Sequence, residues 1–288
     1  MAELFEDPIY GKRARNPGHI GRARSTVLAA YHNARKLPQV VIKIAGHINS
    51  GSYLKDRIDY LTRDGDIKGQ DRGFMEKDAD ALKVIADKWA SDEKGKSGKR
   101  LAMHMILSSP KGTDPEKLIE AVKSFQEKTF ENHDSFFVIH IDTDYPHAHL
   151  MVKTRGYDRK KMHTQKGDFH QWRQDYATEL RANGIQVTAT SRASRGVTKR
   201  YRDRTADKAI KGRGETLKFD PDRDLKPATE ETVHKYQEHY RNIGNELLKS
   251  KDQNARKMGM EINHYSKSLS QEIEKGQGKQ QREDELER

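Results

Sequence analysis

The spacing of apolar residues changes several times along the chain, and each change marks an element. Val40 to Ala45, VVIKIA, is a short β-branched run that reads as a buried strand, and the turn residues of GHINSGS follow it. Leu54, Ile58 and Leu61 then fall at i, i+4 and i+7, which predicts a helix from about Tyr53 to Arg63, stopped at Gly65, with one face in the core. A second helix is expected from about Asp78 to Ala90, ahead of the polar stretch SDEKGKSGK. Leu101 to Pro110 gives another strand. Asp114 followed by Pro115 supplies an N-cap and a proline at the first helical position, launching a helix to about Phe130. SFFVIHID and HAHLMVKT predict two further strands, GDFHQWRQDYATELRANG a helix closed by Gly184, and IQVTAT a fifth strand. The resulting order, β-α-α-β-α-β-β-α-β, predicts an α+β fold: a central antiparallel or mixed sheet with packed helices.

Beyond this core the periodicity fades. Residues 1–37 read as a basic, mobile N-terminal arm with apolar spacing only around Thr26 to Tyr31. After about Ser191 the chain becomes basic and rich in breakers, and from about Ala228 it is helical in composition but highly charged. The expected division is therefore a folded domain at 38–200, a basic linker at 201–227 and a charged, solvated helical tail at 228–288.

Composition narrows the function classes. A hydrophobic fraction of 33% against 34% charged, over 288 residues, allows one sizeable core with solvated appendages. The net charge of +11 favours a polyanionic partner. No apolar run is long enough to span a membrane and the N-terminus has no signal-like apolar stretch, so a soluble intracellular protein, without membrane insertion, is expected. The absence of cysteine removes disulfides, thiolate metal sites and cysteine nucleophiles, leaving the thirteen histidines as the only soft ligands.

Three of those histidines are concentrated in FVIHIDTDYPHAHLMVK. Alternate residues of a strand share a face, so His147 and His149 point the same way. The connection Asp142-Thr143-Asp144-Tyr145-Pro146 has hairpin-turn chemistry, and with an even loop His140 joins them on that face. Three imidazoles would then converge on one ion with positions left open for water or a substrate oxygen. Asp142 and Asp144 are candidates to fix imidazole tautomers from behind, as is His104 on the strand beginning at Leu101. The alternative is a set of ordinary sheet histidines satisfied by hydrogen bonds.

The segment His140-Ile-Asp-Thr-Asp-Tyr-Pro-His147-Ala-His149 resembles the H-x-D-x-x-x-P-H-x-H signature of plasmid mobilisation relaxases in the HUH endonuclease superfamily, in particular the VirD-type, T-DNA border-nicking branch. The similarity runs from about Val40 to Val197 and includes IDYLTRDG at Ile58 to Gly65, MHMILSSP, and ATSRASRG at Ala189 to Gly196. One position departs from the pattern: Lys153 stands where related proteins often carry asparagine.

The resemblance implies that residues 38–200 are an HUH nuclease domain that cuts one DNA strand by tyrosine attack on phosphorus, with Tyr60 as the nucleophile and a divalent ion, Mg²⁺ or Mn²⁺, on His140, His147 and His149. A free phenol titrates near 10, so such an attack needs cationic help, and Arg57 and Arg63 stand at i−3 and i+3 from Tyr60. Tyr53, seven residues earlier, is the rival nucleophile. Arg192, Arg195, Lys199 and Arg200, with Arg202 and Arg204 beyond them, are candidate phosphate contacts, and Tyr157, Trp172 and Tyr201 candidate base-stacking surfaces. The implied substrate is single-stranded DNA at an origin of transfer, cut through a 5′-phosphotyrosyl intermediate in conjugative plasmid or T-DNA transfer. Accessory relaxosome proteins and a type IV secretion coupling protein are the implied partners, and the bacterial cytoplasm the implied location. A non-catalytic DNA-binding mobilisation factor, a rolling-circle replication initiator and a water-activating metallohydrolase are the competing readings.

Overall fold

The computed structural model describes residues 27–94, 100–162, 164, 166–199 and 225–286. They form two compact units, one over Pro38–Ala189 and one joining the described residues up to Leu37 with those from Thr190 onward.

The first unit is α+β. Its strands are β1 (Val41–Ile48), β2 (Gly69–Gln70), β3 (Glu76–Lys77), β4 (Ala102–Ser108), β5 (Ser135–His140) and β6 (His147–Lys153). They lie in the order β1-β4-β6-β5-β2-β3, and every pairing is antiparallel. Four helices cover the sheet: α2 (Gly51–Thr62), α3 (Ala79–Glu93), α4 (Pro115–Thr129) and α5 (Lys166–Ala182), with α1 (residues 27–34) belonging to the other unit. The alternation of a strand divides the core by face. Phe136, Val138 and Met151 pack with Leu54, Ile58 and Leu61 of α2 and Leu82, Ala86 and Trp89 of α3. Their strand neighbours Phe137, Leu150 and Val152 pack on the opposite side with Leu118, Val122 and Phe125 of α4 and Tyr176 and Leu180 of α5.

Local chemistry sets the helix ends. Ser50 caps α2 by accepting from the Tyr53 amide, and the Asp114 carboxylate accepts from the amides of Glu116 and Lys117 at 2.9 and 3.3 Å, with Pro115 at the first helical position. Arg72 closes the far end of α4 by donating to the carbonyls of Gln126, Phe130 and Glu131 at 3.0 to 3.2 Å. Helix α2 stops when Arg63 turns left-handed at φ 51°.

Two features differ from the periodicity reading. Ile185 to Thr190 is no strand: its contact with the sheet is one parallel bridge between Gln39 and Thr188. Thr188 donates to Pro38 O and accepts from Val40 N, but Pro38 has no N–H with which to continue the ladder. The short pair β2–β3 was not foreseen, because two-residue strands carry no period. Gly69 permits it, since a Cβ there would meet Leu82 Cδ1 and Phe137 O at 2.9 Å.

The second unit alters the picture of the tail and of residues 27–37; the rest of the expected arm, 1–26, and the linker residues 201–224 lie outside the described residues. Glu230–Leu248 and Gln253–Leu286 are helices that pack on each other and on α1, burying Val27, Ala30, Val233, Tyr240, Leu247, Ile262 and Leu269. The helices approach closely at Gly244 and Gly259, where a Cβ on Gly259 would meet Gly244 O at 2.7 Å. Tyr240 Oη donates to Ser194 O and accepts from Asn33 Nδ2 at 2.9 Å, so α1 and the turn Ala193–Arg195 belong to this unit's interior. The sparse apolar residues of the tail suffice because two helices and α1 share one narrow stripe.

Phe125 is fully buried and touches the rings of Phe130 and Tyr176. Phe125→Ala should destabilise the Pro38–Ala189 unit by about 3–5 kcal/mol, read as a matching loss of hydrogen-exchange protection at the amides of β4 and β6.

Candidate metal centre and nucleophile

Strand β5 ends at His140 and β6 begins at His147, the two facing each other in register, with His149 opposite Val138. Because Val138 lies in the α2–α3 core, all three imidazoles emerge on that face, at the end of two paired strands. Ring centroids are 5.3 Å apart for His140 and His147, 4.5 Å for His140 and His149, and 4.9 Å for His147 and His149. One nitrogen from each lies within 4.8 Å of the others.

The remaining nitrogens are all engaged, and for His140 and His147 this decides the tautomer. His140 Nε2 donates to Leu61 O at 2.8 Å, and His147 Nδ1 donates to Tyr145 O at 3.1 Å, since a carbonyl only accepts. His149 Nδ1 pairs with His104 Nε2 at 2.9 Å across β4 and β6. Nδ1 of His140 and Nε2 of His147 and His149 are thus left for an ion, each ring held from behind as a ligating histidine requires. Burial, reinforced by the neighbouring His104 and His140, pushes the His149 imidazole down to about 2. Burial takes His104 down to about 4 with help from Arg57, and lowers His147 as well. Neutral imidazoles are what a metal needs. The residues fit a divalent ion, and three nitrogen donors suit Mn²⁺ or a later transition ion better than Mg²⁺, which prefers oxygen.

Of the three residues expected behind the imidazoles, His104 contacts His149, whereas His140 and His147 are held by Leu61 O and Tyr145 O and not by Asp142 or Asp144. Asp142 is salt-bridged to Arg63, and Asp144 to Lys111 at 3.2 Å. Backbone carbonyls have no sequence signature, which is why Leu61 and Tyr145 were missed. Lys111 was missed because nothing along the chain relates it to Asp144.

Tyr60 lies on α2 next to Leu61, whose carbonyl holds His140, and it is 65% exposed. The Arg57 guanidinium sits 5.4 Å from the Tyr60 ring centre and 5.6 Å from that of Tyr53, and donates to Tyr53 Oη at 2.9 Å. Tyr53 is therefore engaged by its hydroxyl, whereas the Tyr60 ring meets the same cation by its face.

The other candidates separate. Arg192 is exposed and Arg195 lies in the turn Ala193–Arg195 of the second unit; Lys199 ends strand β7 (Val197–Lys199), which pairs with β8 (Leu225–Pro227). Arg200, Tyr201, Arg202 and Arg204 lie outside the described residues. Tyr157 is 62% exposed, but Trp172 is buried between Phe130 and Phe169 with both ring centres at 5.3 Å, so it is a core residue and not a stacking surface. Lys153, at the far end of β6, donates to Asp92 on α3 at 2.6 Å and ties strand to helix.

Residues 60–185 match a protein family described as relaxase, MobA/VirD2-like, nuclease domain. The T-DNA border endonuclease VirD2 of Rhizobium radiobacter is 27% identical over 187 residues, 56% of this chain and 44% of that protein. The protein of the same name from Rhizobium rhizogenes is 24% identical over 221 residues, 68% and 50% of the two chains. The chain thus spans about half the length of the curated relatives it matches. A solved structure described as "Molecular Basis of Vancomycin Resistance Transfer in Staphylococcus aureus" aligns with 58% of this chain and 91% of that one, at 17% identity and a TM-score of 0.32.

Calorimetric titration with Mn²⁺ should show one site that His149→Ala abolishes and His104→Ala weakens by roughly 10–100-fold. A second expectation concerns acid. The unfolded chain protonates His104 near 6.5, the folded one only near 4, so folding stability should fall as pH drops through that window. Denaturant melts of the metal-free protein from pH 7 to 4 check the sign, and His104→Phe should flatten the slope.

Proposed function

We propose that this chain, which carries a MobA/VirD2-like relaxase nuclease domain at residues 60–185, is a site- and strand-specific DNA endonuclease and transesterase that nicks an origin of transfer. The observation that carries the reading is the link between the two halves of the site: the carbonyl that orients His140 belongs to the residue after Tyr60. A phenol and a three-imidazole cluster joined in this way match a phosphoryl-transfer centre better than either a hydrolase or a binding module, since neither of those gives Tyr60 a task.

In this reading the Tyr60 oxygen attacks the scissile phosphorus, the bond to the 3′ oxygen breaks, and that oxygen leaves with a proton as a free 3′-hydroxyl. The fragment on the 3′ side of the cut remains on the protein through its 5′ phosphate, as a phosphotyrosyl ester. One diester replaces another, so the 3′-hydroxyl can reverse the step and the same residues serve nicking and religation. Arg57, resting on the Tyr60 ring, places a cation beside the attacking phenol. His140, His147 and His149 would hold a divalent ion, Mg²⁺ or Mn²⁺, with His104 behind His149. When bound, the ion supplies positive charge to the nonbridging oxygens of the phosphate. In-line attack requires room that duplex DNA denies, so the substrate is single-stranded or extruded DNA.

Arg57 and Arg63 would contact the strand near the cut, and Arg192, Arg195, Lys199 and Arg200 would contact it elsewhere. The catalytic region is placed at 38–200, with 201–227 as a basic linker, and the function belongs to conjugative plasmid or T-DNA transfer in the bacterial cytoplasm. Accessory relaxosome proteins and a secretion coupling protein complete the proposed setting.

Incubation with single-stranded fragments of an origin should give protein that has gained the mass of the 3′-side fragment, linked through the peptide containing Tyr60. Tyr60→Phe should remove the adduct while DNA and Mn²⁺ binding persist, and Tyr53→Phe should keep most activity. A linked peptide containing Tyr53 would overturn the nucleophile; cleavage without any linked peptide would overturn the mechanism; binding with no cleavage would favour the non-catalytic mobilisation factor.

A further inference from the structure

The loop that joins the two ligand strands, residues 141–146, carries two carboxylates, and each is held by a cation from a different element. Asp142 meets Arg63 at the end of α2, and Asp144 meets Lys111, in the connection from β4 to α4, at 3.2 Å. Both pairs are open to solvent, with side chains 46% and 47% exposed in the first and 66% and 73% in the second. Next to Lys111 lies a groove of about 800 Å³, lined also by Thr113, Glu116, Ile141, Asp144 and Pro146. Ile141 and Pro146 are the chain neighbours of His140 and His147, so the groove begins where the histidine cluster ends.

We propose that Arg63 and Lys111 are the phosphate contacts that flank the scissile position, and that Asp142 and Asp144 occupy them in the free protein as stand-ins for the DNA backbone. The proposal rests on the reading of the site as a DNA-nicking centre. Single-stranded DNA then binds by exchange, each phosphate displacing one carboxylate. The two cations are on opposite sides of the sheet end: Arg63 follows the helix that carries Tyr60, and Lys111 precedes the helix on the other face. Both cations lie against the loop that joins His140 to His147.

Relative magnitudes favour the exchange. An exposed ion pair holds its partners weakly, whereas a phosphate contact gains from counterion release. Lys111 is the cation among the groove residues, and Asp144 and Glu116 oppose it; Asp114 is occupied in capping α4. With Asp144 in place the groove repels a phosphate, and with Asp144 displaced Lys111 faces it. The carboxylates thereby set a threshold that a stray anion does not cross and a polyanion presenting two phosphates together does.

The test measures binding of a mixed-sequence single-stranded oligonucleotide against salt, without divalent ions, in full-length protein carrying Tyr60→Phe so that no strand is cut. Lys111→Ala should weaken binding and reduce the slope of log K against log salt by about 0.7. Asp144→Asn should tighten binding roughly two- to fivefold, and the gain should vanish when Lys111→Ala is also present. Asp142→Asn should behave likewise with Arg63→Ala. An unchanged slope in Lys111→Ala, or a gain from Asp144→Asn that survives without Lys111, overturns the exchange and leaves general charge repulsion. If the parent protein binds but the cycle is additive, only this inference falls; if the parent does not bind single-stranded DNA, the nicking reading falls with it.

Discussion

A helix leaves its last carbonyls without intrahelical donors, and on α2 one of them, Leu61 O, is satisfied by an imidazole N–H. That bond does two jobs. It closes a helix end that would otherwise be buried against the sheet with an orphan acceptor, and it fixes which nitrogen His140 turns toward its partners. Tyr60 is placed by the same contact, since its backbone is bonded to that of Leu61. The apolar side of α2 explains why the contact is durable: Leu54, Ile58 and Leu61 are fully buried against β5, β6 and α3, so the helix cannot slide without opening a core. Tyr60 and the three-histidine cluster are therefore parts of one packed body.

Most of the sheet unit was legible in the sequence, and the reasons are particular. The i, i+4, i+7 spacing of Leu54, Ile58 and Leu61 set both the position of α2 and its buried face, and the alternation in β5 and β6 put His140, His147 and His149 on one side. Asp114-Pro115 marked the start of α4 because capping is a local act. The sequence was silent where structure depends on partners distant in the chain. No pattern pairs His104 with His149 or Lys111 with Asp144, and β2 and β3 exist because the neighbouring β5 supplies hydrogen bonds to two residues of otherwise irregular chain. Ile185 to Thr190 erred in the other direction: Ile185 and Val187 are buried, as in a strand, but Pro38 offers no N–H to extend the ladder on its side of the single bridge.

The tail teaches a related lesson about composition. Its charge predicted a solvated helix, yet Val233, Tyr240, Leu247, Ile262 and Leu269 recur at intervals that build a stripe, and a stripe needs only a partner with the same narrowness. Gly244 and Gly259 bring the two backbones close enough for that narrow stripe to bury itself. Mean composition averages over faces, and it was the faces that mattered.

The antiparallel ladder between β5 and β6 has a consequence of its own. Neighbouring strands lie about 4.8 Å apart, and His140 and His147 face one another across that gap. The sheet is thus the gauge that spaces the imidazoles, and the six residues between the strands are not asked to measure anything. That connection could be longer, differently charged or differently shaped, and the spacing of His140 and His147 would still be the spacing of two paired strands.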